Sequence, residues 1–208
     1  MSMYNVAPDS ITVSGAEYPI DTDFRFWIRF QGVLMSGDTD RNKAKKICNI
    51  MIELGIPPTK ETLDAMLDFY AGASTENKTG GGKNVRSFDF EKDSEYIFSA
   101  FLEFYGIDLS VAKLHWWKFK ALFKALPDDC QMCKIMMYRT IDLKNVPKEQ
   151  KKFYREMKAR YALADVRHGG YRTEQEMKEY VKRRFEEAKS RLSEMRGDQQ
   201  PSMDKPEC

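Results

Sequence analysis

The feature that most constrains this chain is the stretch 96–126, which holds its densest apolar and aromatic content and can satisfy that content only by being enclosed. It reads as two helices joined at residues 105–109, where Tyr105-Gly106-Ile107-Asp108-Leu109 interrupts the helical spacing. With about 100° between successive residues, Lys113, Lys120 and Lys124 fall on one narrow stripe of the second helix. Val111, Leu114, Trp116, Phe119, Leu122, Phe123 and Leu126 occupy most of the remaining circumference. A helix of that kind is surrounded, not merely docked on one side. His115 and Lys118 project into the apolar arc, and the expectation is a hydrogen-bonded core histidine and a lysine whose stem packs while its ammonium reaches water. Trp117 stands at the edge of the lysine stripe, which makes it core rim or, as a candidate partner-binding residue, a half-covered contact.

The flanking sequence supplies elements to do the enclosing. Residues 11–20 place two β-prone runs around Ser14-Gly15-Ala16, a hairpin signal, and an isolated hairpin is marginal unless it lies on helices. Asp21 or Thr22 is expected to cap a helix running to Met35 with Phe24, Trp27, Ile28 and Leu34 at helical spacing, ended by Gly37. Asp38 or Thr39 begins a second, whose stripe is Ala44, Ile47, Cys48, Met51 and Leu54, before Gly55 and Pro57-Pro58 stop it. Thr59 opens a third with Leu63, Met66, Leu67 and Tyr70, fading at Gly72. Residues 73–87 are polar and glycine-rich, the composition of a mobile linker or long surface loop. Beyond the central pair, Pro127, Asp128 and Asp129 cap a short helix through Arg139. Pro147 then starts another with Phe153, Tyr154, Met157, Tyr161 and Ala164 on one face, broken at His168-Gly169-Gly170.

The fold class that follows is mostly α: a compact multi-helix bundle with a short N-terminal β-hairpin and an extended C-terminal helix. Its expected units are an N-terminal segment 1–20, a helical core 21–165, an amphipathic helix 171–196 and a disordered polar tail 197–208. At 208 residues and 42% hydrophobic content the chain can bury a sizeable core as one domain with appendages. Its net charge of +2 draws it to neither nucleic acid nor membrane as a whole. The charge is nonetheless uneven, at −3 over residues 1–143 and +7 over residues 144–196. A solvated helical face is the commoner cause of such a basic third, and an acidic partner surface the other.

Candidate chemistry is sparse. Gly80-Gly81-Gly82-Lys83 invites a phosphate-loop reading, but Asn84 replaces the required Ser/Thr, the first glycine of the spacing is absent, and the run follows a helix instead of a strand. Cys130 and Cys133 have CxxC spacing, yet the other candidate ligands, Cys48, Cys208, His115 and His168, form no second pair, and a thioredoxin-like site would need a βαβ context. Neither metal nor cofactor is expected. With two histidines far apart and no nucleophile motif, an enzyme is not the expected class. Four cysteines without a leader argue for free thiols in a reducing compartment. No apolar run of about 20 residues is present, so no membrane span is expected.

From Thr173, with Glu176 completing a capping box, a last helix carries Met177, Tyr180, Val181, Phe185, Ala188, Leu192 and Met195 on one narrow stripe amid dense charge. Such a stripe must be covered, by the body of the chain, by a partner or by a second copy. The break at Gly169-Gly170 favours a partner, which makes Tyr180, Phe185 and Leu192 candidate partner-binding residues. Lys182-Arg183-Arg184 raises a nucleic-acid reading that Glu186 and Glu187 dilute at once.

Residues 88–109, the double tryptophan Trp116-Trp117 within 114–122, and Lys134 to Arg139 together resemble the Gp15-type family of tailed-phage and prophage proteins of Gram-positive bacteria. Residues 18–24 and 154–163 are similar to it too, so the likeness spans roughly residues 10–165 and excludes the last helix. The resemblance implies a gene in the tail module near the tape-measure gene, and a tail assembly chaperone made in the host bacterial cytoplasm. Such a protein would keep the long, aggregation-prone tape-measure helices soluble while the tail tube polymerises, and it brings no catalytic residues with it. Its partners would be the tape-measure or other tail proteins, with a homo-oligomer also open. The rival reading within that frame is a structural tail adaptor or completion protein retained in the virion.

Overall fold

A computed structural model of the chain describes residues 7–72, 86–163, 181–183 and 185–186. The two N-terminal strands, β1 (Ser10–Val13) and β2 (Ala16–Pro19), pair antiparallel with Ser10 opposite Pro19 and Val13 opposite Ala16. Ser14 and Gly15 both take positive φ, 50° and 83°, the two-residue turn whose twist suits a hairpin. Ile11 and Val13 are buried and their strand lies on α3, so the hairpin is stabilised by the helices beneath it.

Seven α-helices follow among the described residues: α1 (Phe24–Met35), α2 (Asp40–Glu53), α3 (Lys60–Ala71), α4 (Ser94–Tyr105), α5 (Trp116–Lys124), α6 (Gln131–Thr140) and α7 (Lys148–Arg160). A 3-10 turn, Leu143–Asn145, precedes α7. The mostly helical class with an N-terminal hairpin is therefore what the sequence patterns predict. Of the last helix, only helical backbone at 181–183 and 185–186 is described. The glycine run 80–82, the hinge at Gly169-Gly170 and the polar tail lie outside the described residues. None of the described helices is long and apolar enough to cross a membrane.

Boundaries differ from expectation where capping chemistry chose a neighbour. Asp23, not Asp21 or Thr22, caps α1 by accepting the Arg25 N–H at 2.9 Å, while Asp21 accepts the Asp23 N–H and its carbonyl takes the Trp27 indole at 2.7 Å. Ser36, one residue before Gly37, ends that helix. Thr39 and Thr59 cap α2 and α3 as expected. Cys130, not Asp128 or Asp129, caps α6, its sulfur accepting the Cys133 N–H at 3.2 Å.

The largest departure is at the central helix, which begins at Trp116. Val111 lies in a turn, its N–H donating to Asp108 O at 3.3 Å, and is 76% exposed, while Leu114 belongs to an extended connection. The connection pairs with the start of α1: Leu114 O accepts the Phe24 N–H at 3.0 Å, and the Trp116 N–H donates to Thr22 O at 2.7 Å. His115 is the cap of α5. Its Nδ1 accepts the Trp117 N–H at 3.0 Å, which makes Nε2 the protonated nitrogen that donates to Pro8 O at 2.9 Å. Lys118 is exposed, so its expected packing is not found.

Around α5 the core is aromatic. Trp116, Phe119, Phe101, Trp27 and Phe30 are essentially inaccessible, with Phe119 stacked on Phe24 at 4.7 Å and on Phe101 at 5.1 Å. The polar edges of this core are matched by the end of α3. The Trp116 and Trp117 indole N–H groups donate to Tyr70 O and Phe69 O at 2.8 and 2.7 Å, and Lys120 Nζ reaches Ala71 O at 2.8 Å. These carbonyls lie in the last turn of α3, where oxygens run short of backbone donors, and Phe69 O takes the Gly72 N–H at 3.0 Å as well. Lys120, expected on a solvated stripe, is thus a helix cap whose ammonium also lies 5.6 Å from the Tyr70 and Trp116 ring centroids.

A second buried polar joint ties α4 to α6. Arg139 and Asp93, 6% and 3% exposed, meet in a bidentate pair at 2.6 and 2.8 Å. Arg139 also donates to Ser87 O and Tyr161 O, and Asp93 accepts the Asp89 N–H. Breaking such a pair strands a buried charge. Trp116→Ala is expected to cost about 3–5 kcal/mol by equilibrium unfolding. Arg139→Ala should cost a similar ~3–5 kcal/mol, with the double variant Asp93→Leu, Arg139→Met recovering part of it. A loss under about 1 kcal/mol for either single variant in urea titration would contradict the assignment.

Candidate helix-binding groove

One apolar seat in this fold holds a helical segment. Leu34 of α1 and Ala44 and Ile47 of α2 line a groove with Asp40 and Lys43 at its margin, and Val181 and Phe185 complete its walls. The spacing explains the seat: Leu34 continues the buried stripe of α1, and Ala44 and Ile47 that of α2. Val181 and Phe185, four residues apart, present one face of the distal helical segment and are 7% and 4% exposed. Lys182 Nζ fixes its position through Asp64 Oδ1 of α3 at 3.0 Å.

In this structure Phe185 packs with the chain's own α1–α2 face, the first of the covers open to the stripe. Tyr180 and Leu192 lie outside the described residues. Lys182, one of three consecutive basic residues read as a possible phosphate contact, is engaged with an internal carboxylate. Trp117 is half-buried at the rim of the core, its indole N–H taken by Phe69 O and its ring 5.5 Å from Phe69.

Sequence reasoning missed a different surface. The apolar face expected on α7 exists, but no residue of that helix is buried; Phe153 is 48% exposed, and Tyr138 of α6 gathers the rings of Phe153, Tyr154 and Tyr161. Leu102 of α4 and Ile52 of α2 are also exposed, at 48% and 61%. The signal was the charge density of α7, six basic and two acidic residues among 13. So charged a helix cannot sink into an apolar interior.

Burial, then the Cys130 thiol beside it and the Asp128 and Asp129 carboxylates, push the Cys133 thiol up to about 12. Its folded value is thus raised above the ordinary 9.0, so the neutral thiol favours folding below about pH 9, and that contribution is lost as pH rises toward 12. Among the described residues no three His, Cys, Asp or Glu side chains converge as a metal site would require. At pH 8, alkylation of Cys133 by iodoacetamide should run on the order of 100- to 1000-fold slower than that of a short cysteine peptide. Mass spectrometry of the modified peptide measures it, and comparable rates would contradict the protonated, inert thiol.

A family model described as Bacteriophage Gp15 protein matches residues 4–163, which takes in the hairpin, all seven helices and both polar joints but not the segment that fills the groove. No curated protein and no solved structure matches the chain. With most of its length under that one match, the chain belongs to the Bacteriophage Gp15 protein family and is a bacteriophage protein.

Proposed function

We infer that the protein is a non-enzymatic tail-assembly protein, a chaperone that binds helices of the tape-measure protein while the tail tube forms. The observation that carries this reading is the α1–α2 groove, which accepts an amphipathic helical segment through an aliphatic and an aromatic residue one turn apart. Recognition of helices by apolar grooves needs this arrangement: side-chain anchors at i and i+4 and a charged residue at the rim. Exposed Leu102 and Phe153 add apolar surface that a holding protein can offer to a partner that is not yet assembled. A tape-measure protein is long and helical, and its apolar stripes lack cover until the tube closes round them. A binder that shields them lowers the concentration of free, aggregating chains by mass action.

Co-expression tests this. The phage's tape-measure protein made with this chain is expected to move largely from the insoluble to the soluble fraction and to co-elute with it, while purified virions lack the chain. Absence of any complex sinks the reading. Presence of the chain at stoichiometric level in purified virions would instead make it a structural tail adaptor or completion protein.

A further inference from the structure

Two exposed apolar faces of this chain carry opposite charge. On α4, Leu102, Glu95, Ser99, Glu103 and Tyr96 are all exposed and fall within about a third of the helix circumference. Leu102 and Tyr96 are 48% and 37% exposed, and the helix holds two glutamates and no basic residue, a net charge of −2. On α7 the exposed Phe153 ring rests against the half-buried Tyr138 and Tyr154. Around it α7 exposes four basic residues, Lys148, Lys152, Arg155 and Arg160, against the acidic Glu149 and Glu156, a net charge of +2. Among the described residues none of these charges is held in an ion pair. Both helices are packed on α6, so the two faces cannot turn to meet within one chain. A second copy offers each face the apolar cover and the counter-charge that it lacks.

We propose that the protein self-associates head to tail, the α4 face of one copy docking on the α7 face of the next. Leu102 and Tyr96 then cover the Phe153 ring, and Glu95 and Glu103 lie among the basic residues of α7. Exposed ion pairs add little affinity, so the apolar residues hold the contact and the charges choose its pairing. Pairing α4 with α4, or α7 with α7, sets like charges together, which disfavours a symmetric dimer. A contact between two different surfaces leaves one of each free at the ends, so growth continues unless the rotation closes a ring. This goes beyond the assembly reading and competes with it at Leu102 and Phe153, because joined copies cover the surface that a tape-measure helix would otherwise meet.

Sedimentation velocity of the full-length chain alone tests this. The wild type is expected to form species larger than a dimer as its concentration rises from micromolar to sub-millimolar, with association roughly tenfold weaker in about 500 mM than in about 50 mM NaCl. Leu102→Ser removes one face and Phe153→Ser the other, so each variant by itself should stay monomeric. Mixed in equal amounts, the two should form a 1:1 dimer and nothing larger, since each supplies the face that the other has lost. Circular dichroism melting checks that both remain folded. If Phe153→Ser does not, the double variant Lys152→Glu, Arg160→Glu takes its place in the mixture. A wild type that is monomeric throughout overturns the proposal, as do larger species that persist in either variant or a mixture that stays monomeric. With no tape-measure protein present, any of these failures leaves the assembly reading standing. Failure of tape-measure binding likewise leaves the self-association untouched.

Discussion

The C-terminus of α3 ends inside the protein, and the carbonyls it leaves there decide how the other helices can sit. Helix ends are normally finished by water or by a turn. Here Phe69, Tyr70 and Ala71 point their oxygens at α5, and three donors from its first two turns, Trp116, Trp117 and Lys120, face them. The hydrogen bonds orient the indoles, and the indoles orient the stack. With Trp116 fixed against Tyr70, Phe119 is carried into contact with Phe24 and Phe101, which brings α1 and α4 to the same axis. Gly72 ends α3 at a φ of +72°, with the Trp117 indole 3.5 Å from where a side chain would start.

The pair of Asp93 and Arg139 does a related task by different means. A fully enclosed guanidinium is tolerated because its donors are spread over a carboxylate and two carbonyls, drawing together the start of α4, the middle of the chain at Ser87 and the end of α7. The aromatic core holds the N-terminal half of the bundle and this joint holds the other half. Arg139 therefore helps tie down α7, which buries none of its own residues, together with the ring cluster around Tyr138 and the Lys158 ammonium donating to Ile141 O at 2.7 Å. The groove is a different kind of surface, where aliphatic residues meet and polar groups stand at the margin. That difference is why a helical segment can be seated on α1 and α2 without being woven into the bundle.

Helical periodicity read the architecture well because each buried stripe is local: Phe24, Trp27, Phe30 and Leu34, or Ala44, Ile47 and Met51, lie within three turns. The cap was legible at Thr59, and at Thr39 as one of two candidates with Asp38. Caps were misread where several acids stood together, since only geometry chooses Asp23 over Asp21. The helix proposed from residue 111 failed because spacing records where apolar side chains recur, not whether the backbone already has a partner. Residues 114–116 bond across to α1 and cannot coil until Trp116. Lys120 was illegible for the same reason, as nothing near it in sequence announces the carbonyls 50 residues earlier. The apolar anchors Val181 and Phe185 were visible as a stripe, but which surface covers a stripe is a tertiary fact.

The contacts that hold the N-terminus have a consequence in time. His115 bonds to Pro8 across 107 residues, and Phe24 and Thr22 bond to Leu114 and Trp116 across about 90. On a ribosome adding roughly 5–20 residues each second, the first helix and hairpin wait for several seconds before the strand that secures them exists. During that interval Phe24, Trp27 and Phe30 are without their final neighbours, and the nascent chain carries an uncovered apolar stripe. The stripe is therefore closed only once residue 119 has emerged and Phe119 stacks between Phe24 and Phe101.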